Sequence, residues 1–468
     1  WLVMNWSFVD MRKKVKVSDD TIIQNKDRNV LPRLVNIVIL DTGSLLNHSF
    51  FKDVNCELLS AEGIENPIDE CGHGTFVLSV VIRTMREFSN VKYKITSVKV
   101  SENSSIDINI LIKGLQYCNK INADVVYIGS CNCAYSDAMA RILSILAHKG
   151  VIIVVPSGNY PFYEPTYPSC LETTFCCGLA NEDGSICHNV NTYGADVFIK
   201  CRNVLGVLSP QNAQLFGVTL NDEGMAFLSA TSFSAAEFAA YISVLKAYRE
   251  DINVYSLREL IYKNYEKLVL LDFNLLLADV RKKNGQFPES LHKNDRYIML
   301  HPSKDMSVAG DWIFNIHTVD GKFEKCFGTL ILEIYQDKFM TNKLYQDEIE
   351  FKNGRGVISL TNKKLKPGIY MMKLGNRANN IESVINMMIS RPEKPEIVIK
   401  DNNVYVYPVF KGAKILYTEN GRMPMVKAGG EVIDPTKIYS GPIRRSKEIM
   451  VFCTYCNDIF SEPVILES

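Results

Sequence analysis

From about Leu34 to Ala278, short apolar runs alternate with stretches of helical periodicity, the signature of a parallel sheet flanked by helices. Val35 to Leu40, Ile95 to Val100, Val125 to Ile128 and Val151 to Val155 are short, β-branched and bounded mostly by polar residues or glycine. Strands buried on both faces have this composition. Between them Ile108, Leu111, Ile112 and Leu115 recur at helical spacing, as do, less sharply, Ile142, Leu143, Ile145 and Leu146. After about Lys282 the texture changes to alternating strand patterns with turn signals, for example Trp312, Phe314 and Ile316 ahead of Asp320-Gly321. Pro392 and Pro395 flank a short charged segment that suits a linker, and the final stretch is again β-rich. The pattern predicts a lead-in over 1–33, an α/β unit over 34–282, a β-sandwich or jelly-roll-like unit over 283–391 and a small β-unit over 392–468.

Composition supports that division. A chain of 468 residues exceeds what one core usually serves. Its 47% hydrophobic and 22% charged residues are the balance of a globular protein. Lys+Arg and Asp+Glu both total 52, so neither a nucleic acid nor an anionic membrane is an evident partner. No apolar run reaches the roughly 18 to 20 residues a spanning helix needs. The first thirty residues lack a basic-then-apolar signal pattern, although the start at Trp1 is compatible with prior removal of a signal or pro-segment.

Thirteen cysteines is an odd count, and Cys131/Cys133 and Cys176/Cys177 are poorly placed to bridge to each other. Free thiols in a reducing, cytoplasmic compartment are therefore expected, with secretion as the alternative. Cys453 and Cys456 have redox or metal spacing without a second such pair, so a coincidence on one strand stands beside a metal or redox site.

Four short motifs carry candidate chemistry. Asp41 follows the run Val35 to Leu40, at a strand's carboxyl end where open α/β sheets place their ligands, and Thr42-Gly43 turns the chain. His73 lies in Cys71-Gly72-His73-Gly74-Thr75, ahead of a buried helix marked by Phe76, Val77, Val80 and Val81. Ser232 lies in Ser229-Ala230-Thr231-Ser232-Phe233-Ser234-Ala235-Ala236, before an apolar helical run through Leu245. A helix N-terminus there offers unpaired N–H groups and a favourable dipole. Asn159 ends Val154-Val155-Pro156-Ser157-Gly158-Asn159, at the close of another buried strand. Each motif alone reads more readily as ordinary structure: a turn at Asp41 or Asn159, a capping or solvent residue at His73, and N-capping by Thr231 or Ser232.

Taken together, in the order Asp, His, Asn, Ser, these motifs resemble the subtilisin-like serine protease family. The resemblance spans about residues 34 to 282 and implies a subtilisin-like α/β fold followed by two smaller β-rich domains. It implies a serine endopeptidase acting on an extended peptide or protein substrate, with maturation of a specific precursor suggested by the added β-domains. Ser232 would be the nucleophile, His73 its base, Asp41 the residue that orients the base, and Asn159 with the Ser232 N–H the oxyanion donors. Ile128, Gly129, Ser130 and Cys131 would line the substrate backbone, with Gly129 permitting close approach of the peptide. Residues 157 to 163, Ser157 and Gly158 among them, would wall the pocket for the side chain before the cleaved bond. A catalytically silent peptide-binding or regulatory scaffold is the alternative.

The chain departs from the family around the nucleophile, where Ala230 and Ala236 replace a usual Gly and Pro. An alanine at position 230 would crowd the backbone if φ were positive. The edge segment also lacks the usual Ser-Leu-Gly run. No cofactor is implied, and structural calcium is left open because the family's calcium loops find no match by spacing. Ala413 to Gly421, with Pro424 and Ser461-Glu462-Pro463, resembles the Ig-like module at the C-terminus of chitobiases, which implies packing or substrate presentation.

Overall fold

The computed structural model describes residues 32–468 apart from 103–105, 131–135, 160–166, 170, 172, 186, 188–194, 265–269, 283–295, 302–307, 319–323, 337–339, 364, 377–380, 409–412, 427–431, 433, 458 and 468. Seven strands form a wholly parallel sheet: β1 (Val35–Asp41), β2 (Cys56–Ser60), β3 (Tyr93–Lys99), β4 (Val125–Ile128), β5 (Ile152–Pro156), β6 (Thr174–Ala180) and β7 (Val197–Lys200). Their order is β2-β3-β1-β4-β5-β6-β7. β1 is therefore flanked by β3 on one side and β4 on the other, and the chain reverses its direction of progress there. Such a switch point leaves a crevice beyond the strands' carboxyl ends, and Asp41 is the last residue of β1.

Strand alternation decides which side of the sheet each residue serves. Ile37, Ile39, Tyr127 and Cys177 belong to a core shared with α1 (His73–Arg86) and, after α2 (Ile108–Lys120) and α3 (Asp137–His148), with α5 (Thr231–Tyr248). Val38, Leu40, Val126 and Ile128 pack on the other face against α2 and α3. By the same alternation Asp41 falls on the face of α1 and α5, the helices that begin at His73 and next to Ser232. The predicted neighbours Cys176 and Cys177 fall on opposite faces and pack into different cores.

Before α5 the chain makes β8 (Val204–Val207), α4 (Pro210–Phe216) and the antiparallel partner of β8, β9 (Met225–Leu228). α5 is buried on almost every side and lies against β1, β4, β5, β6, β7 and α1. An element so enclosed holds its first turn rigidly. Two more helices, α6 (Val254–Asn264) and α7 (Phe273–Lys282), complete this region. Its start is anchored by Arg33, which donates to both carboxylate oxygens of Asp124 at 2.5 and 3.1 Å and from its backbone to Ala247 O.

The β-rich remainder contains a second seven-stranded sheet: β10 (Arg296–His301), β11 (Trp312–Thr318), β12 (Gly328–Tyr335), β13 (Lys343–Phe351), β14 (Arg355–Ile358), β15 (Gly368–Asn376) and β16 (Ile381–Ser390). The alternation read at Trp312, Phe314 and Ile316 is that of β11, whose three residues are fully buried. The turn expected at Asp320-Gly321 lies outside the described residues. Smaller sheets follow, built on β17 (Glu396–Lys400), β18 (Asn403–Tyr407) and β19 (Lys414–Thr418). Cys453 and Cys456 sit on one strand, Met450–Cys456, and a spacing of three in a strand sends the side chains to opposite faces. Among the described residues no helix is long and apolar enough to cross a membrane.

Candidate active site

His73 is the first residue of α1, and its Nδ1 lies 2.7 Å from Asp41 Oδ1 with both side chains buried. A carboxylate accepts, which assigns the hydrogen between them to Nδ1 and leaves Nε2 as the basic nitrogen. Asp41 Oδ1 also accepts from Thr42 N at 2.7 Å. The close approach depends on two absent side chains. A Cβ at Gly74 would stand 2.1 Å from Gly43 O, and one at Gly129 would stand 1.9 Å from Asp41 Oδ2.

Asp69, which the motif reading does not include, organises the loop before His73. Its Oδ1 accepts from Thr42 Oγ1, Cys71 N and Gly72 N at 2.8 to 3.0 Å. Its Oδ2 accepts from Thr75 N and Thr75 Oγ1 at 2.7 and 2.6 Å. Thr42 Oγ1 in turn accepts from Gly74 N at 2.9 Å, which ties the residue after Asp41 to the residue after His73. Burial pushes the Asp69 carboxyl up, against the pull of the Thr75, Gly72 and Thr42 donors. Sequence gives little sign of this role, since an isolated acid in a loop is usually solvated.

Removing that carboxylate strands several buried donors, each costing about 1–3 kcal/mol. Asp69→Ala is therefore expected to destabilise the protein by about 3 kcal/mol or more in urea unfolding, with Asp69→Asn milder because one oxygen is kept. A loss below about 1 kcal/mol would refute the role of Asp69 as the organiser of this loop.

Ser232 is the second residue of α5 and is 4% exposed. Its successor Phe233 places its ring 5.9 Å from the His73 ring and 4.3 Å from Phe76. The first turns of α1 and α5 are thus packed together, with His73 and Ser232 at the meeting ends. Tyr127, fully buried on β4, donates to Ser232 O at 3.2 Å and ties this turn to the sheet.

The cap of α5 differs from the expectation of capping by Thr231 or Ser232. The N-cap is Ala230, which has no side-chain bond to give. The acceptor comes instead from Asn159, whose Oδ1 takes Thr231 N and Thr231 Oγ1, both at 3.0 Å. Fixing Asn159 by its oxygen leaves the NH2 as its donor end. Ala230 has φ −161 and ψ 158, extended backbone open to any residue, so the departure from glycine carries no strain. Ala236 is fully buried inside the helix, where alanine is the best helix former.

The residues expected to line substrate are only partly brought together. The Ile128 side chain lies in the core beneath the sheet, so only its backbone is available. Gly129 N donates to Leu40 O at 2.9 Å, so its amide belongs to β1, and its missing side chain makes room for Asp41. Ser130 is half-buried just beyond β4, while Cys131 and residues 160 to 163 lie outside the described residues. Ser157 N donates to Cys177 O at 2.9 Å, and Gly158 N donates to Thr231 Oγ1 at 3.2 Å. Cys71, near His73, has its thiol pushed by burial to about 11, which makes it a poor competing nucleophile.

Residues 33–289, more than half of the chain, match the Subtilase family (Peptidase_S8). No curated protein matches the sequence. Among solved structures, the prenylagaramide maturation protease PagA is 13% identical, with a TM-score of 0.43 over 53% of this chain and 93% of that one. A lanthipeptide protease is 14% identical, with a TM-score of 0.43 over 51% of this chain and 84% of that one. A mutant of the protease domain of PatA is 15% identical, with a TM-score of 0.43 over 55% of this chain and 100% of that one.

Proposed function

The chain belongs to the subtilase family, and from that premise we propose that it is a serine endopeptidase acting through Ser232, His73, Asp41 and Asn159. His73 Nε2 takes the Ser232 hydroxyl proton as Oγ attacks the scissile carbonyl, and later returns it to the leaving amine. Asp41 holds the imidazole in the required tautomer. The Ser232 N–H, in the first turn of α5, and Asn159 Nδ2 receive the oxyanion. The observation that carries this reading is the 2.7 Å bond from His73 Nδ1 to Asp41 Oδ1 at the packed first turns of α1 and α5.

The substrate is an extended peptide or protein segment. Its backbone would run beside Ser130 rather than pair with the Gly129 amide, because Gly129 N is already bonded to Leu40 O. The same proposal takes 34–282 as the catalytic unit, after a lead-in over 1–33, and 283–391 and 392–468 as two β-rich units that present a specific precursor. It treats the last of these as a counterpart of the Ig-like module of chitobiases. A cytoplasmic location fits the thiols, with no metal required for the chemistry.

Cleavage of a peptide library tests the reading. Turnover by wild type that is lost in Ser232→Ala supports it, and peptide binding without turnover would point to the silent scaffold. Asn159 supplies a sharper test because its two ends do different work. Asn159→Ala should lower kcat by about 10²- to 10³-fold, a magnitude carried over from subtilisin, and cost about 1 kcal/mol through the lost cap. Asn159→Asp keeps the acceptor for Thr231 and should lose rate without losing stability. Equal stability of the two variants would contradict this division of roles.

A further inference from the structure

Tyr167 and Leu171 pack against two cores at once. One is the α2/α3 face of the parallel sheet, and the other is the interior of the seven-stranded sheet over 296–390, with Trp312, Phe314 and Ile334. β10 lies against α3 beside them. Between the two, Ser169 is buried and its Oγ donates to Pro156 O at 2.8 Å. Leu171 N donates to Pro168 O at 3.1 Å, and Thr174 Oγ1 reaches Pro168 O and Leu171 O, both at 2.9 Å. These bonds tie Pro168, Leu171 and Thr174 together. Pro156 ends β5, and the next three residues lead to Gly158, bonded to Thr231 Oγ1, and Asn159, bonded to Thr231 N.

We propose that the second sheet is a positioning element of the active site: it braces Tyr167 and Leu171, and through the nearby Ser169 holds the end of β5 that carries Asn159. Asn159 is exposed and is held at its oxygen by Thr231, so the aim of its NH2 depends on that bond and on what fixes the backbone behind it. A donor aimed at an oxyanion must be held closely, and displacement by about 1 Å can cost about 10²-fold in rate. The ties from Ser169 to Pro156 and from Gly158 to Thr231 are buried and the one from Thr231 to Asn159 is part-buried, and Tyr167 and Leu171 each meet both cores. The role is static support of one loop and needs no second conformation of the protein. The brace acts on an interaction made in the transition state, so it governs kcat more than KM. This consequence for rate rests on Asn159 being the oxyanion donor.

The test compares Leu171→Ala with Ile261→Val, a core truncation on α6 outside this contact. Per titrated active site, Leu171→Ala should lower kcat by about 10- to 100-fold with KM changed by less than about 3-fold. Hydrogen exchange at the Gly158 and Thr231 amides should quicken by about 10-fold or more in Leu171→Ala and not in Ile261→Val. Ser169→Ala should act in the same direction, since it removes the tie to Pro156. Unchanged exchange at both amides, or the same quickening in Ile261→Val, would overturn the proposal. Quickened exchange in a protein that cleaves no peptide would leave the brace standing and refute the protease reading instead.

Discussion

Ser232→Ala should lower kcat for peptide cleavage by about 10⁶-fold, the size of loss known for subtilisin, while leaving the unfolding midpoint nearly unchanged. The loss is large because, on the proposed roles, none of the neighbouring groups among the described residues is placed to take over from the Ser232 hydroxyl. Cys71 is held as a thiol by burial, and the neighbouring hydroxyls are committed. Thr231 Oγ1 donates to Asn159, and Ser234 Oγ donates to Thr231 O. The small stability effect follows from position: alanine is a good helix former, and the substitution removes one oxygen from a first turn tied by Asn159 and Tyr127. Comparable losses of rate in Ser232→Ala and Asn159→Ala would show that the nucleophile has been assigned to the wrong residue.

Gly129→Ala should reduce kcat by between about 10²- and 10⁴-fold, the upper figure being the cost of losing the orienting carboxylate's function in trypsin-like enzymes. The added methyl would meet Asp41 Oδ2 at 1.9 Å and Asp41 Cγ at 2.7 Å, so the carboxylate must move. Movement stretches the bond to His73 and frees the imidazole to turn. Overpacking of this kind also costs about 1–3 kcal/mol of stability. A double-mutant cycle identifies the cause, because Gly129→Ala placed on Asp41→Ala has no carboxylate left to strike. Its stability cost should then largely vanish, and an equal cost in both backgrounds would mean that the methyl collides with something else.

These two positions also show what can be read from the chain. The strands are legible because a parallel strand buried on both faces is an unbroken apolar run, and β1 needs only extension by one residue to include Asp41. The starts of α1 and α5 are legible because a buried helix announces itself through Phe76, Val77, Val80 and Val81, or through the run to Leu245. Gly129 reads as room for a peptide, whereas it is also room for Asp41. Nothing local to Tyr127-Ile128-Gly129 reveals a carboxylate that arrives from β1. Asp69 escapes a sequence reading for a related reason: its five donors come from Thr42 and from residues 71 to 75, and only the folded loop assembles them. The cap on α5 reads as Thr231 or Ser232 because nothing in that motif shows Asn159 reaching Thr231 from across the chain.

The β-rich half is legible in kind but not in consequence. Alternation at Trp312, Phe314 and Ile316 predicts a strand with one buried face, and β11 is that strand. That the resulting core reaches the turn at Tyr167 and Leu171 depends on contacts between residues more than a hundred positions apart, which no periodicity encodes.

The central claim is that Ser232, His73 and Asp41 work as one unit, and an active-site serine probe measures it directly. A fluorophosphonate followed by mass spectrometry should modify wild type at Ser232 alone, with His73→Ala labelled far more slowly and Ser232→Ala not labelled. An unlabelled wild type, a label on another serine, or a His73→Ala variant that reacts as fast as wild type would contradict the account.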